Sequence, residues 1–218
     1  MNNILIFGNN YFSALISEYI EEYTARKVEG FLVNKSYIKD KFISGKEVLP
    51  YESLQIDFSK DEFDILVTSG YKEMNSLRKR ICIDVKNMGY SLYTFIHPDA
   101  LVYSDRIGEG NIILEGAILS KHTIVGDGNI IWNGVNISHH TIIGDYNYLA
   151  PSSTVGGRCN IENNCFLGLN ATVRGGINVR SYTLVGAGAY LGKDSDGEDV
   201  YVSGVREKLA NKTSLEMF

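Results

Sequence analysis

An aliphatic residue stands at every sixth position through most of the second half of this 218-residue chain. Neither an α-helix, with a period of 3.6 residues, nor a β-strand, with a period of two, produces such a pattern. The chain is therefore a repeat, and its period is the strongest constraint on its fold. The sixteen aliphatic positions are Leu101, Ile107, Ile113, Leu119, Val125, Ile131, Ile137, Ile143, Leu149, Val155, Ile161, Leu167, Val173, Val179, Val185 and Leu191.

A second register accompanies the first, because the residue two positions before the aliphatic is often small, as at Ala117 and Cys165. Each repeat is then a short strand with one large and one small inward side chain. Glycine often follows the aliphatic residue, where we expect it to adopt the positive φ angle of a tight turn. Three such strands make one triangular coil, and coils stack at about 4.8 Å. The pattern predicts a parallel β-helix of about five coils.

The first half of the chain alternates predicted strands and helices, which indicates a Rossmann-like parallel α/β sheet. Pro98 marks the junction, because the residue before a proline avoids helix. We therefore divide the chain into an α/β domain at 1–97, a β-helix at 98–192 and a C-terminal loop or tail at 193–218. The predicted strands are 4–7, 28–33, 63–67 and 91–95, and the predicted helices are 11–23 and 72–89.

Ligands of open α/β sheets bind beyond the carboxyl ends of the strands. The candidate binding residues are therefore Gly8, Asn10 and Tyr11 after the first strand, Asn34 after the second and Gly70 after the third. The helix after Gly8 could offer its free N–H groups to a phosphate. The full GxGxxG motif is absent, so an ordinary strand–helix turn remains the alternative.

The chain has four histidines, and three of them, His122, His139 and His140, fall at one predicted corner of the β-helix. Imidazole titrates near neutral pH and can serve as a general base. Transfer of an acyl group from a thioester to an amine or hydroxyl needs such a base and donors for the oxyanion. The alternative is that these histidines are only polar corner residues.

Several classes of function are disfavoured by composition. A net charge of −5 argues against a nucleic-acid partner. No apolar stretch is long enough to span a membrane and no secretion signal is visible, so we expect a cytoplasmic protein. Cys159 and Cys165 occupy small inward positions and should fill the core. No metal site is expected, because His139 and His140 are adjacent and three protein ligands are the usual minimum for zinc.

Three stretches resemble the bacterial sugar acyltransferase family of nucleotide-amino-sugar N-acetyltransferases and sialic acid O-acetyltransferases. They are Asn-Ile-Ser-His-His-Thr-Ile-Ile-Gly-Asp at 136–145, Asn-Cys-Phe-Leu-Gly-Leu-Asn-Ala-Thr-Val at 164–173 and Gly-Tyr-Lys-Glu-Met-Asn-Ser-Leu-Arg at 70–78. The resemblance implies a left-handed β-helix of hexapeptide repeats, acetyl-CoA as acyl donor, and a homotrimer with sites between subunits. It also implies a role in the biosynthesis of surface glycans.

The resemblance implies roles for particular residues of the β-helix. His139 is similar to the base that deprotonates the sugar amine. The family often has a carboxylate next, where this chain has His140, and a histidine that contacts CoA where this chain has Tyr148. The residues expected to line the acyl-CoA cleft are Tyr148, Gly157, Leu169 and Ala187.

In the front domain the resemblance assigns nucleotide binding to Asn10, Tyr11, Asn34 and Gly70. Beyond the last coil, Arg206 and Lys208 could meet CoA phosphates or belong to a solvated tail.

We expect N-acetylation of a nucleotide-linked amino sugar. The alternatives are O-acetylation of a sugar by the same fold, a non-catalytic β-helical scaffold, and a zinc carbonic anhydrase, which the histidine spacing opposes.

Overall fold

A computed structural model of the protein describes residues 2–204. The front domain is a five-stranded sheet in the order β3-β4-β2-β1-β5, parallel except for the pairing of β3 with β4. The strands are β1 (Asn3–Phe7), β2 (Val28–Val33), β3 (Phe42–Ile43), β4 (Lys46–Pro50) and β5 (Phe63–Val67). The α-helices are α1 (Tyr11–Tyr23), α2 (Leu54–Asp57) and α3 (Ser76–Asn87), with 3-10 turns at Lys35–Tyr37 and Tyr51–Ser53.

Most predicted elements of this domain are present, but two predictions were wrong in detail. The helix predicted at 72–89 begins only at Ser76, because Glu73, Met74 and Asn75 have positive φ angles that a right-handed helix does not tolerate. The strand predicted at 91–95 makes a single bridge to β5, and Phe95–Ile96 instead opens the first coil of the β-helix. The chain therefore passes from one sheet into the other within this segment.

Three parallel sheets form the faces of the left-handed β-helix, and each strand pairs with the strand of the same face one coil later. The docked face, so called because the front domain covers it, has strands Phe95–Ile96, Ile112–Ile113, Ile130–Ile131, Tyr148–Leu149, Phe166–Leu167, Leu184–Val185 and Val200–Tyr201. The second face has Leu101–Val102, Ile118–Leu119, Asn136–Ile137, Thr154–Val155, Thr172–Val173 and Tyr190–Leu191. The third face has Arg106–Ile107, Ile124–Val125, Ile142–Ile143, Asn160–Ile161 and Asn178–Val179.

The interior of the prism confirms the predicted registers from the third repeat onward. Every aliphatic position from Ile113 to Leu191 is buried, and so are the small positions, including Cys159 and Cys165. Leu101 is the exception, since it is 49% exposed and Val102 takes the inward place beside Leu119. The first coil is one residue shorter than the coil that follows it, so the register shifts there.

The glycines that follow the aliphatic residues have a different role from the one expected. They do not have positive φ; instead, a Cβ on Gly126 would lie 2.1 Å from Asp145 Oδ1 and 2.8 Å from Gly144 O in the next coil. Glycine is needed there because successive coils approach so closely. Positive φ occurs two residues later, at corner positions that include His122 and His140.

Arg78 of α3 joins the front domain to the β-helix. Its side chain is fully buried, and every hydrogen bond that it donates goes to a main-chain carbonyl. Burial lowers the pKa of the guanidinium to about 10, so it remains charged at neutral pH. The five acceptors are Ser69 and Gly70 in the front domain and Gly128, Tyr146 and Asn147 in the β-helix, at 2.6–3.0 Å.

Within the part of the chain that the structure describes, no helix has the length and apolar character needed to cross a membrane.

Replacing Arg78 by methionine should lower the free energy of unfolding by about 3 kcal/mol or more, because five carbonyls lose their donor and three of these hydrogen bonds are fully buried. The measurement is urea unfolding followed by tryptophan fluorescence, since Trp132 lies where the front domain meets the docked face. Arg80→Met is the matched control, because Arg80 lies in the same helix with an exposed ion pair to Glu73. It should change stability by less than about 1 kcal/mol. Equal effects of the two substitutions would contradict this account of Arg78.

Candidate active site

Two of the predicted site histidines are in contact at the corner between the second and third faces, which we call the histidine corner. Nδ1 of His139 lies 3.1 Å from Nδ1 of His140, and the ring planes are nearly perpendicular at 85°. At this distance the two atoms form a hydrogen bond, in which one Nδ1–H is the donor and the other Nδ1 is the acceptor. Both side chains are exposed on the single chain. If Nδ1 of His139 is the donor, its Nε2 has a free lone pair.

The third histidine of this corner lies one coil earlier. The ring of His122 is 4.6 Å from that of His140, centroid to centroid, and its Nδ1 lies 3.3 Å from Asp105 Oδ2. His122 and His140 share a positive φ angle, 63° and 56°, because they occupy equivalent corner positions. The corner therefore carries a row of side chains that runs from His139 through His140 and His122 to Asp105.

Gly157 lies beside His139, one coil later at the same corner. A Cβ on Gly157 would lie 2.8 Å from Cε1 and 2.9 Å from Nε2 of His139. The backbone N–H of Arg158 donates to the His139 carbonyl at 2.9 Å. Gly157 thus lets the imidazole of His139 pack closely on the backbone of the next coil, and any side chain at this position would push on the face of the ring.

Three other predicted acyl-CoA residues line one cavity at the corner between the docked and second faces, which we call the Leu169 corner. The cavity has a volume of about 340 Å³. Tyr148 is only 8% exposed and stacks on Phe166 at 5.3 Å, so it lies deeper than its predicted outward position suggested. Burial raises the pKa of the Tyr148 phenol, which therefore stays neutral at physiological pH. The lining residues are Tyr71, Trp132, Tyr148, Ala150, Pro151, Phe166, Gly168, Leu169 and Ala187.

The residues predicted for acyl-CoA and catalysis thus form two groups rather than one. His139, His140 and Gly157 belong to the histidine corner, whereas Tyr148, Leu169 and Ala187 belong to the Leu169 corner. The second face separates the two corners within one chain.

The predicted nucleotide residues lie along one edge of the front sheet, at the carboxyl ends of the three adjacent parallel strands β2, β1 and β5. Gly8 follows β1, where a Cβ would lie 2.4 Å from Thr68 Oγ1 and 2.5 Å from Ser13 Oγ. Asn10 caps α1, and its Oδ1 accepts from the Ser13 N–H at 3.0 Å. Tyr11 begins the helix and is 96% exposed, so its side chain is free to meet a ligand.

Asn34 and Gly70 complete this edge. The side-chain amide of Asn34, after β2, donates to Glu52 Oε1 at 3.4 Å. Glu52 also accepts from the Lys35 N–H at 3.0 Å. Hydrogen bonds from the backbone of Glu52 itself and from that of Lys35, together with the one from the Asn34 side chain, lower the pKa of this carboxyl. Gly70, after β5, has open space where a Cβ would be, while its carbonyl accepts from Arg78.

Aromatic contacts connect this edge to the cavity at the Leu169 corner. Phe12, at the start of α1, lies 4.7 Å from Trp132, and Tyr71, just beyond Gly70, lies 5.2 Å from Tyr148. Phe12, Trp132 and Phe166 were not among the residues predicted for this region. The signal was present, because outward positions of the docked face are all apolar.

Arg206 and Lys208, predicted as partners of CoA phosphates, lie outside the described residues. Residues 2–204 contain no group of three or more histidine, cysteine, aspartate or glutamate side chains placed to hold a metal ion.

Comparison with known families agrees with the repeat. Residues 122–157 match the bacterial transferase hexapeptide (six repeats), and residues 158–193 match the hexapeptide repeat of succinyl-transferase. These matches identify the coils between residues 122 and 193 as hexapeptide repeats. No curated protein sequence matches the chain.

Solved structures share the whole architecture. The acetyltransferase domain of PglB from Neisseria gonorrhoeae is 22% identical, with a TM-score of 0.83 over 93% of this chain and 97% of that one. PerB from Caulobacter crescentus, in complex with CoA and GDP-perosamine, is 24% identical, with a TM-score of 0.82 over 93% and 95%. WeeI from Acinetobacter baumannii is 15% identical, with a TM-score of 0.78 over 93% and 97%. The resemblance to bacterial sugar acyltransferases is therefore confirmed for the repeat and the fold.

Replacing Gly157 by alanine should displace the His139 ring and break its contact with His140, because the new Cβ falls within 3 Å of the imidazole. Gly157 does not have positive φ, so the backbone accepts alanine and the fold should persist. A crystal structure of the variant measures the displacement. Gly204→Ala is the control, since nothing lies within 4 Å of its Cβ position, and it should leave the ring in place. An unmoved His139 in Gly157→Ala would show that this packing is not restrictive.

Proposed function

We propose that the chain transfers an acetyl group from acetyl-CoA to the amine of a nucleotide-linked amino sugar, with His139 as general base. The observation that carries this proposal is the set of contacts around the His139 imidazole. Its Nδ1 contacts His140, its ring packs closely on Gly157, and its side chain lies on an exposed corner. An imidazole held in this way is suited to accept a proton from a bound nucleophile.

The chemistry needs one proton acceptor and no covalent enzyme intermediate. The amine nitrogen attacks the thioester carbon, and His139 Nε2 takes the proton that the nitrogen loses. The carbon–sulfur bond then breaks and CoA leaves as a thiolate. Main-chain N–H groups around the cleft are suitable donors to the oxyanion of the tetrahedral intermediate.

The front domain supports a nucleotide-linked acceptor. Gly8, Asn10, Tyr11, Asn34 and Gly70 lie at the carboxyl ends of adjacent parallel strands, where such sheets bind nucleotides. Aromatic contacts lead from this edge to the cavity at the Leu169 corner. PerB, which shares this fold, was solved with CoA and GDP-perosamine.

A homotrimer would bring the two corners together. In one chain the second face separates His139 from Leu169 and Ala187. In a ring of three subunits the histidine corner of one copy can face the Leu169 corner of the next, because the interfaces are heterologous. The exposed aliphatic side chains of Leu101, Ile124 and Ile142, on the second and third faces, are consistent with burial between copies.

Purified protein with acetyl-CoA and an amino-sugar nucleotide should release free thiol. His139→Asn should lower kcat by about a hundredfold or more, because the general base is lost. Calorimetry should show acetyl-CoA binding of both proteins, since His139 is not assigned to CoA. Mass spectrometry of the product then separates the acceptors: loss of the free amine supports N-acetylation, and a hydroxylamine-labile ester supports the O-acetyl alternative. Absence of binding at millimolar acetyl-CoA would overturn the proposal.

Mixed trimers test the shared site. His139→Asn and Leu169→Trp should each be inactive alone, because each removes one half of every site. Unfolding and refolding an equal mixture should restore about a quarter of wild-type activity, since each mixed trimer contains one intact interface. Mixing His139→Asn with Gly157→Ala is the control, because both changes lie on the same corner and should restore nothing. Equal recovery in the two mixtures would contradict a site built from two subunits.

A further inference from the structure

The histidine corner contains a carboxylate that the proposed base does not touch. Asp105 Oδ2 lies 3.3 Å from His122 Nδ1, and the ring of His122 packs against that of His140. Of the acidic side chains that the structure describes, Asp105 is the one whose carboxylate lies within 4 Å of a histidine ring nitrogen at this corner. His140 thus stands between the carboxylate pair and His139.

The short first coil is what places Asp105 there. Residues 103–105 connect the second face to the third in that coil, whereas residues 120–123 make the same connection one coil later. The backbone N–H of Asp105 donates to the Thr123 carbonyl at 3.0 Å, and Ser104 Oγ lies 2.7 Å from Thr123 Oγ1. Because the connection in the first coil lacks one residue, the row of imidazoles ends at the carboxylate of Asp105.

We propose that His122 and Asp105 are positioning residues for His139 and act through His140. This inference rests on the proposed function of His139. Asp105 accepts the Nδ1 proton of His122, and the ring of His122 holds His140 with its Nδ1 lone pair toward His139. His139 then donates its own Nδ1–H to His140, which fixes the tautomer whose Nε2 is free to accept a proton.

The same row stabilises the charge that forms during the reaction. When His139 Nε2 takes the proton of the amine, the ring becomes an imidazolium whose Nδ1–H still points at His140. A neutral His140 accepts this bond, and the negative charge of Asp105 behind His122 favours the cation. If His140 were also protonated, the two imidazolium rings would repel each other at this distance. The negative charge of Asp105 reduces this repulsion, which offsets a disadvantage of having His140 there.

Two cationic residues adjoin this row through their backbones. Lys121 precedes His122, and its carbonyl accepts the His140 N–H at 3.2 Å, while Arg158 follows Gly157 and donates its backbone N–H to His139. Both lysine and arginine disfavour a second positive charge nearby. Asp105 therefore opposes the effect of these two cations on the protonation of His139, and its removal should have a measurable effect.

The test combines kinetics and nitrogen NMR on the full-length protein. In Asp105→Asn and His122→Asn, kcat should fall to about a tenth, and the acidic limb of kcat/KM against pH should move about half a unit lower. The sign follows because loss of the carboxylate makes the imidazolium less favourable, so the base stays unprotonated at lower pH. Asparagine tolerates the positive φ of His122, so the fold should persist.

Nitrogen-15 shifts of His139 report its tautomer without any turnover. Wild-type protein at alkaline pH should show Nδ1 protonated, and Asp105→Asn, His122→Asn and His140→Asn should each move the ring toward the Nε2-protonated form. Asp99→Asn is the matched control, because its carboxylate lies 3.9 Å from Nδ1 of His97, away from this corner. It should change neither the pH profile nor the His139 spectrum.

A double substitution separates positioning from general stability. His140→Glu supplies a carboxylate directly beside His139, so Asp105→Asn added to it should have no further effect on kcat or the acidic limb. The inference is overturned if Asp105→Asn and His122→Asn leave both the pH profile and the tautomer unchanged. If wild-type protein transfers no acetyl group, the proposed function fails, and the tautomer measurement still decides the arrangement of the row.

Discussion

Backbone hydrogen bonds between residues one coil apart hold the β-helix in register, and the placement of the candidate site follows from that register. The Arg158 N–H bonds to the His139 carbonyl, and the His140 N–H bonds to that of Lys121, so equivalent corners lie directly above one another. A residue added to one coil would shift everything beyond it to a new position. Stacking therefore brings His122 to the same corner as His139 and His140, although they lie 17 and 18 residues further along the chain.

The second determinant is the burial of the docked face. Outward residues such as Ile112 and Ile130, which on a free β-helix would meet water, pack against Ile16 and Ile20 of the front domain. This packing fixes the carboxyl edge of the front sheet relative to the cavity at the Leu169 corner.

The period of six predicted the prism, its interior and the common corner of the histidines, because stacking requires strict repetition. It misplaced Leu101, since a coil lacking one residue still leaves an aliphatic residue at the expected position. The start of α3 was missed because Asn75 and its neighbours adopt positive φ without glycine. Arg78 ends one of the three stretches that carry the family resemblance, but its burial was not predicted, since its acceptors are backbone carbonyls that any sequence supplies. The contact between His139 and His140 depends on a corner torsion, which spacing alone does not reveal.

The hydrogen bonds of Arg78 also determine the order in which the two domains reach their final packing during synthesis. Its acceptors in the β-helix lie 50 to 69 residues further along the chain, and Asn75 bonds to a carbonyl 90 residues away. When the front domain leaves the ribosome, the guanidinium is still hydrated and the apolar side of the sheet is uncovered. The front domain is synthesised first, but it reaches its final packing only after the middle coils of the β-helix have emerged. The speed at which those coils are translated therefore determines how long the apolar surface of the front sheet stays exposed to aggregation.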